Sequence, residues 1–166
     1  TGQIETVLDL SQSEAGQLPL QKKKLPLFDF VTDVVQQRGP AIEAANLTLD
    51  LRGSKAAGQI EADPKRLGRA LGHLLDNSIA ALPPQGRIVV DVARVKGQAR
   101  IVVSDNGPGM DAATLARALK PVSASDGEKR DGLGLPLARQ LIEAHGGSLE
   151  VKSQRGAGTM AVVLLP

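Results

Sequence analysis

The stretch DNGPG, at residues 105–109, is the centre of the pattern that decides the fold of this chain. Asp105 ends an apolar run over residues 101–104, and Gly107 and Gly109 allow tight backbone turns and a close approach to a flat ligand. A carboxylate at this place can accept a hydrogen bond from an exocyclic amine, which distinguishes adenine from guanine. A plain turn after a strand would use the same residues, so other segments must decide between the two interpretations.

A second stretch, HLLDN at residues 73–77, lies on a predicted helix. This helix starts at Asp63, a capping residue followed by a proline that fits the first helical position, and it continues to residue 82. Asn77 follows His73 by one helical turn, so both side chains leave the same face. An amide oxygen on a rigid helix suits Mg²⁺, which takes oxygen ligands, whereas an asparagine that faces solvent is the simpler alternative.

A third stretch, DGLGL at residues 131–135, leads into another predicted helix. Gly132 and Gly134 would expose backbone amides at the helix N-terminus, where hydrogen bonds and the helix dipole both favour phosphate oxygens. A lone Gly-x-Gly is a weak signal. The chain has neither the Walker lysine motif nor the Rossmann glycine pattern, so the two commoner nucleotide folds are not supported.

The rest of the chain predicts helices and mainly antiparallel strands that are segregated along the sequence. Helices are predicted over 27–37, 41–45, 63–82, 111–119 and 135–144, and strands over 47–51, 88–95, 99–104, 148–152 and 159–165. The polar, charged segment over 120–131 is predicted to be mobile. This order of elements is typical of an α+β two-layer sandwich.

Composition bounds the class of protein. The 166 residues are 42% hydrophobic and 23% charged, which fits one domain with a short appendage. Phe28 and Phe30 are the only aromatic residues, so the core must be aliphatic. The lack of stacking side chains, with a net charge of only +2, argues against a single-stranded nucleic acid as the partner.

Several kinds of site are excluded by residue type. The chain has no cysteine, so it can form no disulfide, cysteine-based metal site or cysteine nucleophile, and its two histidines lack metal-ligand spacing. No apolar stretch reaches the ~18 residues that a membrane span needs, and no leader opens the chain. We therefore expect a soluble fragment with no direct membrane contact. Because residues 1–16 begin within a helical pattern, we also expect a piece of a longer protein.

Taken together, the three stretches resemble the catalytic domain of histidine kinases, within the gyrase, Hsp90, histidine kinase and MutL superfamily. Asn77 is similar to the metal-binding asparagine of the N box, and the glycine boxes are matched by 105–109, 132–135 and 156–159. The resemblance implies a Bergerat-type sandwich over residues 17–166, in which a mixed, mainly antiparallel sheet is covered on one face by helices. Residues 1–16 resemble the end of a dimerisation-domain helix.

The resemblance also implies a function. ATP and Mg²⁺ would bind, and the γ-phosphoryl group would pass to an acceptor residue on a dimerisation domain outside this chain. The resemblance assigns catalysis to His73 and Asn77, and the metal to Asn77. It assigns nucleotide binding to Asn77, Asp105, Gly107, Gly109, Gly132, Leu133, Gly134, Leu135 and Thr159. Implied partners are ATP or ADP, a response regulator or phosphorelay protein, and a second copy joined through the dimerisation domain. The implied location is cytoplasmic, in a parent protein that can be membrane-associated.

His73 favours a kinase over a gyrase-like ATPase. Relatives that hydrolyse ATP carry a glutamate at this position because an attacking water must lose a proton. A histidine acceptor already has a nucleophilic ring nitrogen, so a base is less needed. Whether His73 is a base, a phosphate contact or a structural residue stays open. His145 ends a helix, where we expect it to cap the C-terminus with its cation favoured by the dipole.

Three departures from the family pattern leave a second interpretation open. Ala80 stands where a lysine is typical, residues 119–122 read Leu-Lys-Pro-Val instead of the two phenylalanines of the F box, and Arg130-Asp131 replaces a Gly-Thr pair. Lys129 and Arg130 are candidates for the missing positive charge. The alternative is a degenerate kinase domain that acts as a nucleotide-modulated protein-interaction module.

Overall fold

A computed structural model of the protein describes residues 19–120 and 134–166. The strands are β1 Lys23–Pro26, β2 Thr48–Arg52, β3 Gln59–Ala62, β4 Arg87–Val95, β5 Gln98–Asp105, β6 Ser148–Gln154 and β7 Gly158–Leu165. The helices are α1 Leu27–Gln37, α2 Gly39–Ala44, α3 Pro64–Ala81, α4 Ala112–Leu119 and α5 Gly134–Ala144, with a 3-10 turn at Lys55–Ala57. The expected dimerisation helix over 1–16 and the predicted mobile segment beyond residue 120 lie outside the described residues.

The main sheet of the described chain has five strands in the order β2-β4-β5-β7-β6. Strands β2 and β4 are parallel, and every other neighbouring pair is antiparallel, as the sequence predicts for a mixed sheet. Strands β1 and β3 were not predicted. They pair with each other in a separate two-stranded sheet, and only Ile60 and Ala62 of their eight residues are buried, too few for a periodic signal.

Helices α1, α3 and α5 pack on one face of the sheet, which gives the predicted two layers. Alternate residues of β4 point toward them, with Ile88, Val90 and Val92 at most 2% exposed. These three side chains meet the leucines of α3 in an aliphatic core. Each fully buried leucine or isoleucine contributes about 1.5–3 kcal/mol to the stability of the folded state. The two phenylalanines are only partly buried at its edge. The fold prediction is confirmed.

Helix α3, which carries Asn77, is fixed at its start by the predicted cap. The Asp63 carboxylate accepts hydrogen bonds from the backbone N–H groups of Lys65 and Arg66, each at 3.1 Å, and of Gln21 at 3.0 Å. Burial alone would raise the pKa of the Asp63 carboxyl, but these donors together hold it below its usual value of 3.8. The helix ends at Ala81, before two prolines.

His145 ties the end of α5 to the start of α3. Its Nε2 accepts the backbone N–H of Asp63 at 3.1 Å, and its Nδ1 lies 2.7 Å from the carbonyl oxygen of Leu141. Because a backbone N–H can only donate, Nε2 must be unprotonated and the proton must lie on Nδ1, which donates to Leu141. The expected contact with the helix end is confirmed, but the expected cation is wrong because its second ring nitrogen is needed as an acceptor.

Candidate functional site

A cavity of about 300 Å³ opens between α3, α4 and the adjoining ends of β5 and β7. Its walls are mostly apolar, and its polar side chains are Asn77, Ser78, Asp105, Thr114 and Thr159. A concave, largely apolar pocket with a few convergent polar groups is typical of small-molecule sites. The apolar lining is supplied by Leu74, Ala81, Val103, Pro108, Met110, Ala118, Leu135 and Ala161, together with Gly109.

The Asp105 carboxylate is held in place from two sides. Its Oδ1 accepts the backbone N–H of Gly107 at 2.9 Å, and its Oδ2 accepts the hydroxyl of Ser78 at 2.9 Å. Ser78 is only 5% exposed and follows Asn77 on α3. Sequence reasoning missed Ser78, although its place one residue after Asn77 is a signal. Each carboxylate oxygen retains acceptor capacity for a ligand in the cavity.

The glycines of the 105–109 stretch are needed for contact with another part of the chain. Gly109 has φ +70°, and a Cβ there would lie 1.9 Å from the carbonyl oxygen of Gln154. Gly158 has φ +84°, and its Cβ would lie 2.0 Å from the carbonyl oxygen of Asp105. The predicted close approach is therefore made by the chain's own β6–β7 turn, which is also bound through the Gly156 N–H to Pro108 at 2.7 Å.

Thr159 lies beside Asp105. The two residues are direct partners in the pairing of β5 with β7, so their side chains share one face of the sheet, and both line the cavity. The Thr159 hydroxyl oxygen is 2.8 Å from that of Ser153 on β6. Ser153 also accepts the backbone N–H of Met110 at 2.8 Å, and sequence reasoning did not single it out.

Asn77 lines the cavity, whereas His73 does not. Gly134, the first residue of α5, packs over both of them: a Cβ there would lie 3.3 Å from the Asn77 Oδ1 and 3.3 Å from the His73 Cβ. The His73 Nε2 is buried and has no hydrogen-bond partner within the described part of the chain. Burial is the main cause that lowers the pKa of His73, with Asp76 opposing it and Arg69 and Arg38 adding to it.

Arg38 places a cation against the same helix. Its Nε lies 2.9 Å from the Asp76 Oδ1, and its guanidinium crosses α3 at Gly72, where a Cβ would lie 2.2 Å from Nη2. Asp76 is more than half exposed, so the pair itself adds little stability. Ala80, on the same helix, is exposed.

The residues predicted to bind nucleotide are thus largely brought together. Asn77, Asp105, Gly109, Leu135 and Thr159 line the cavity. Gly107 and Gly134 lie next to it, the first bound to Asp105 and the second packed on Asn77. Gly132 and Leu133 lie outside the described residues, as do Lys129 and Arg130. Their roles stay predictions.

The described residues hold neither a metal-binding cluster nor a membrane-spanning helix. No group of three or more His, Cys, Asp and Glu side chains is placed to hold a metal ion within residues 19–120 and 134–166. No helix in the same ranges combines the length and the apolar character that crossing a bilayer requires.

Comparison with protein families decides what kind of domain carries this cavity. Residues 62–166 match the family of histidine kinase-, DNA gyrase B- and HSP90-like ATPases. The chain belongs to this family. The match includes α3 with Asn77, the Asp105 turn and the closing β6–β7 pair, so the predicted membership is confirmed, and the family implies that ATP binds.

Curated relatives include histidine kinases and a sensor protein. The chain is 34% identical, over 98% of its length, to the circadian input-output histidine kinase CikA of Synechococcus elongatus, of which it covers 22%. It is 31% identical to the sensor protein DivL of Caulobacter vibrioides over 98% of its length and 21% of that protein. It is 32% identical to the histidine protein kinase DivJ of the same organism over 98% of its length and 28% of that protein. The chain therefore spans only about a fifth to a quarter of these relatives.

Solved structures share the fold. Full-length ShkA, solved in complex with AMPPNP, matches 99% of the chain with a TM-score of 0.85 at 23% identity, and the match covers 35% of that protein. The Acinetobacter baumannii histidine kinase AdeS matches 98% of the chain with a TM-score of 0.76 at 22% identity, and the match covers 75% of that structure. The family and the relatives support a catalytic, ATP-binding domain of the histidine kinase type.

Proposed function

We propose that this chain binds Mg-ATP in the cavity between α3 and α4 and transfers the γ-phosphoryl group to an acceptor residue on a dimerisation domain outside the chain. The observation that carries the proposal is the Asp105 carboxylate, which Ser78 and Gly107 hold at the wall of an apolar cavity. A fixed acceptor in an apolar slot suits a flat base with an exocyclic amine.

The base end of the site would select adenine. Asp105 would accept a hydrogen bond from the 6-amino group, whereas the 6-oxo group of guanine would place an acceptor against a carboxylate. Side chains such as Leu74 and Val103 would cover the faces of the ring without aromatic stacking. Affinity for the base would therefore depend on apolar burial and on this charge-assisted hydrogen bond.

The phosphate end would lie where Asn77 meets the start of α5. The N-terminus of α5, at Gly134, offers backbone amides and a helix dipole that favour phosphate oxygens, and we assign Gly132 and Leu133 to the same role. Asn77 fits Mg²⁺ because its neutral amide lines the cavity, and this metal takes oxygen ligands and keeps most of its shell as water and phosphate. Bound there, the metal would neutralise phosphate charge during transfer.

His73 does not line the cavity, but we assign it to the neighbourhood of the phosphate end because Gly134 packs on both His73 and Asn77. The lowered pKa of His73 keeps its ring neutral near pH 7, and its buried Nε2 has no partner in the described ranges. A neutral ring nitrogen can act as a base or contact a phosphate group, the two active roles proposed for it. Asp76 acts electrostatically on this ring in the opposite sense to Arg69 and Arg38, so the charges around His73 are mixed, and two of them are cations that suit a phosphate group.

The organisation of the parent protein is part of the proposal. Residues 17–166 would form the catalytic domain, and residues 1–16 would end the dimerisation helix through which two copies associate. A response regulator or phosphorelay protein would take the phosphoryl group in turn. The parent would present this domain to the cytoplasm. Sensor kinases among the relatives, of which this chain covers a fifth to a quarter, support this arrangement.

Calorimetric titration with ADP, with and without Mg²⁺, tests nucleotide binding. We expect binding that Mg²⁺ strengthens, and we expect Asn77→Ala to remove that strengthening while leaving metal-free binding largely intact. No binding at millimolar ADP would refute the proposal. An Asn77→Ala protein that responds to Mg²⁺ like the wild type would refute the metal assignment. Phosphoryl transfer is tested in a longer protein that includes the segment upstream of Thr1.

A degenerate kinase is the second candidate function. Ala80 is exposed on α3 and supplies no charge where relatives have lysine, and residues 119–122 lack the F-box aromatics. These departures affect transfer more than binding, because phosphoryl transfer depends on charge neutralisation and positioning. ADP binding without phosphoryl transfer in the longer protein would favour this candidate, whereas transfer would exclude it.

A further inference from the structure

Ser153 is a hydrogen-bond hub just outside the nucleotide cavity. Its hydroxyl oxygen lies 2.8 Å from the backbone nitrogen of Met110, 2.8 Å from the Thr159 hydroxyl oxygen and 3.1 Å from the carbonyl oxygen of Gly158. Ser153 itself does not line the cavity, but Thr159 and Met110 do. The function described above assigns no role to Ser153.

The number of protons in this hub limits the directions that its hydrogen bonds can take. A serine hydroxyl has one proton to donate and two lone pairs to accept. The Met110 N–H can only donate, so Ser153 accepts from it, and the Gly158 carbonyl can only accept, so Ser153 donates its proton there. With the Ser153 proton on the Gly158 carbonyl, the Thr159 hydroxyl is the donor of the remaining contact, and Thr159 then has lone pairs and no free proton.

We propose that Ser153 is a positioning residue that makes Thr159 an acceptor toward the cavity, and that it thereby determines selectivity for 6-amino over 6-oxo purine nucleotides. This inference rests on the proposed binding of an adenine nucleotide in the cavity. Ser153 acts through Thr159 and does not itself touch the nucleotide.

The neighbours of Thr159 show why its proton matters. Asp105 lies directly opposite Thr159 in the pairing of β5 with β7, so two acceptors stand side by side on one wall. The exocyclic amine of adenine carries two protons and is matched to such a wall, whereas the 6-oxo group of hypoxanthine or guanine finds no donor there. If the Thr159 hydroxyl were released, it could rotate and donate to that 6-oxo group.

Gly158 contacts both parts of this wall, the Asp105 backbone and the Ser153 hub that orients Thr159. Its backbone lies against Asp105, since a Cβ on Gly158 would lie 2.0 Å from the Asp105 carbonyl oxygen, and its own carbonyl takes the Ser153 proton. The residue that terminates the proton chain is therefore the one packed on the proposed adenine-binding aspartate. This places the Ser153 hub and Asp105 in one connected arrangement.

The test compares the affinities for ADP and inosine diphosphate, measured by calorimetry, in four proteins: wild type, Ser153→Ala, Thr159→Val and the double variant. We expect Ser153→Ala to lower the ratio of ADP to inosine diphosphate affinity by about five-fold, the typical worth of one hydrogen bond. In the Thr159→Val background, which has no hydroxyl to orient, the same substitution should leave the ratio unchanged. Ser153→Thr retains the hydroxyl and should retain the wild-type ratio.

Each outcome has one meaning. An unchanged ratio in Ser153→Ala would overturn the inference, and so would an equal fall of the ratio in the Thr159→Val background, which would show that Ser153 acts through Met110 instead. Thermal unfolding shows whether a variant is folded. Partial loss of folding lowers the affinities for ADP and inosine diphosphate by the same factor, so the ratio of the two affinities still decides. If the wild type does not bind ADP, the proposed function is refuted. If the wild type binds ADP selectively and Ser153→Ala does not alter that selectivity, only the inference about Ser153 is refuted.

Discussion

The side chain on which most of the chemistry depends is Asp105, and its position is set by residues that are distant in sequence. Ser78 donates to it from α3 and the Gly107 N–H from the turn that follows it. A carboxylate with both oxygens already engaged cannot rotate freely, so it is pre-organised for a ligand donor. Pre-organisation reduces the entropy lost on binding.

Asp105→Asn is expected to weaken ADP binding about ten-fold or more, because a hydrogen bond to a charged acceptor contributes about 1.5–3 kcal/mol. Calorimetry of the isolated domain measures the change. Asp91→Asn is the matched control, since Asp91 is an exposed aspartate on the neighbouring strand β4 and should have no effect. Equal affinities for the Asp105→Asn and wild-type proteins would contradict the assignment of Asp105.

Alanine substitutions at Gly109 and Gly156 are expected to destabilise the protein to different extents. Gly109 and Gly156 both have positive φ, at +70° and +79°, but a Cβ at Gly109 would meet the Gln154 carbonyl whereas nothing lies within 4 Å at Gly156. Both alanine variants carry the backbone strain of about 1 kcal/mol, and Gly109→Ala adds steric overlap of about 1–3 kcal/mol. Urea unfolding should therefore show the larger loss for Gly109→Ala. Equal losses would mean that the two turns are not in contact.

Helix α3 shows how an element is fixed at a distance from the site that it serves. Asp63 caps its first turn, and His145, at the end of α5, accepts the Asp63 N–H. The start of α3 is therefore joined to the end of α5. Gly134 at the other end of α5 packs on Asn77. The relative placement of Asn77 and the start of α5 therefore depends on contacts at both ends of the same helix pair.

The Asp63 cap predicts a pH dependence of stability. Since the pKa of Asp63 is lower in the folded protein than its usual 3.8, its contribution is complete above that value and is lost as the pH falls through it toward the folded-state pKa. Asp63→Asn keeps a capping side chain without the charge. In urea unfolding, the wild type should be the more stable near pH 6, by about 0.3–1 kcal/mol, and this advantage should shrink near pH 3. A constant difference across this range would refute the predicted linkage.

At the scale of the whole molecule, the cavity joins parts of the chain that fold as separate local elements. Its walls come from α3, α4, the beginning of α5 and two neighbouring strands. A ligand that contacts all of these is bound by the folded state alone. Binding should therefore stabilise the entire domain, not one loop.

Saturating Mg-ADP is expected to raise the thermal midpoint of unfolding. At a ligand concentration of about 100 times Kd the folded state gains about 2.7 kcal/mol, which corresponds to roughly 5–10 °C for a domain of this size. Differential scanning calorimetry measures the shift. Asp105→Asn at the same ADP concentration should show a smaller shift, and a shift of equal size in the two proteins would place the ligand elsewhere.

The sequence by itself determined the helices of the described chain, the five strands of the main sheet, the fold class and the family. Periodic apolar residues, the Asp-Pro start of α3 and the glycine turns are local signals, because they act within a few residues of the backbone that they shape. Asn77 and Asp105 were candidates from the residues themselves and Thr159 from the family resemblance, and the structure brings these three to one cavity. Strands β1 and β3 were missed because only two of their eight residues are buried, too few for a periodic signal.

Only the tertiary structure decided the partners of these residues. Ser78 and Asp105 are 27 residues apart, Met110 and Ser153 are 43 apart, and Asp63 and His145 are 82 apart. A hydrogen bond depends on distance and direction in space, and no local pattern encodes either across such separations. The tertiary structure therefore revealed the neutral ring of His145, the fixed carboxylate of Asp105 and the hydroxyl hub at Ser153, because each is defined by a group that the fold brings from elsewhere in the chain.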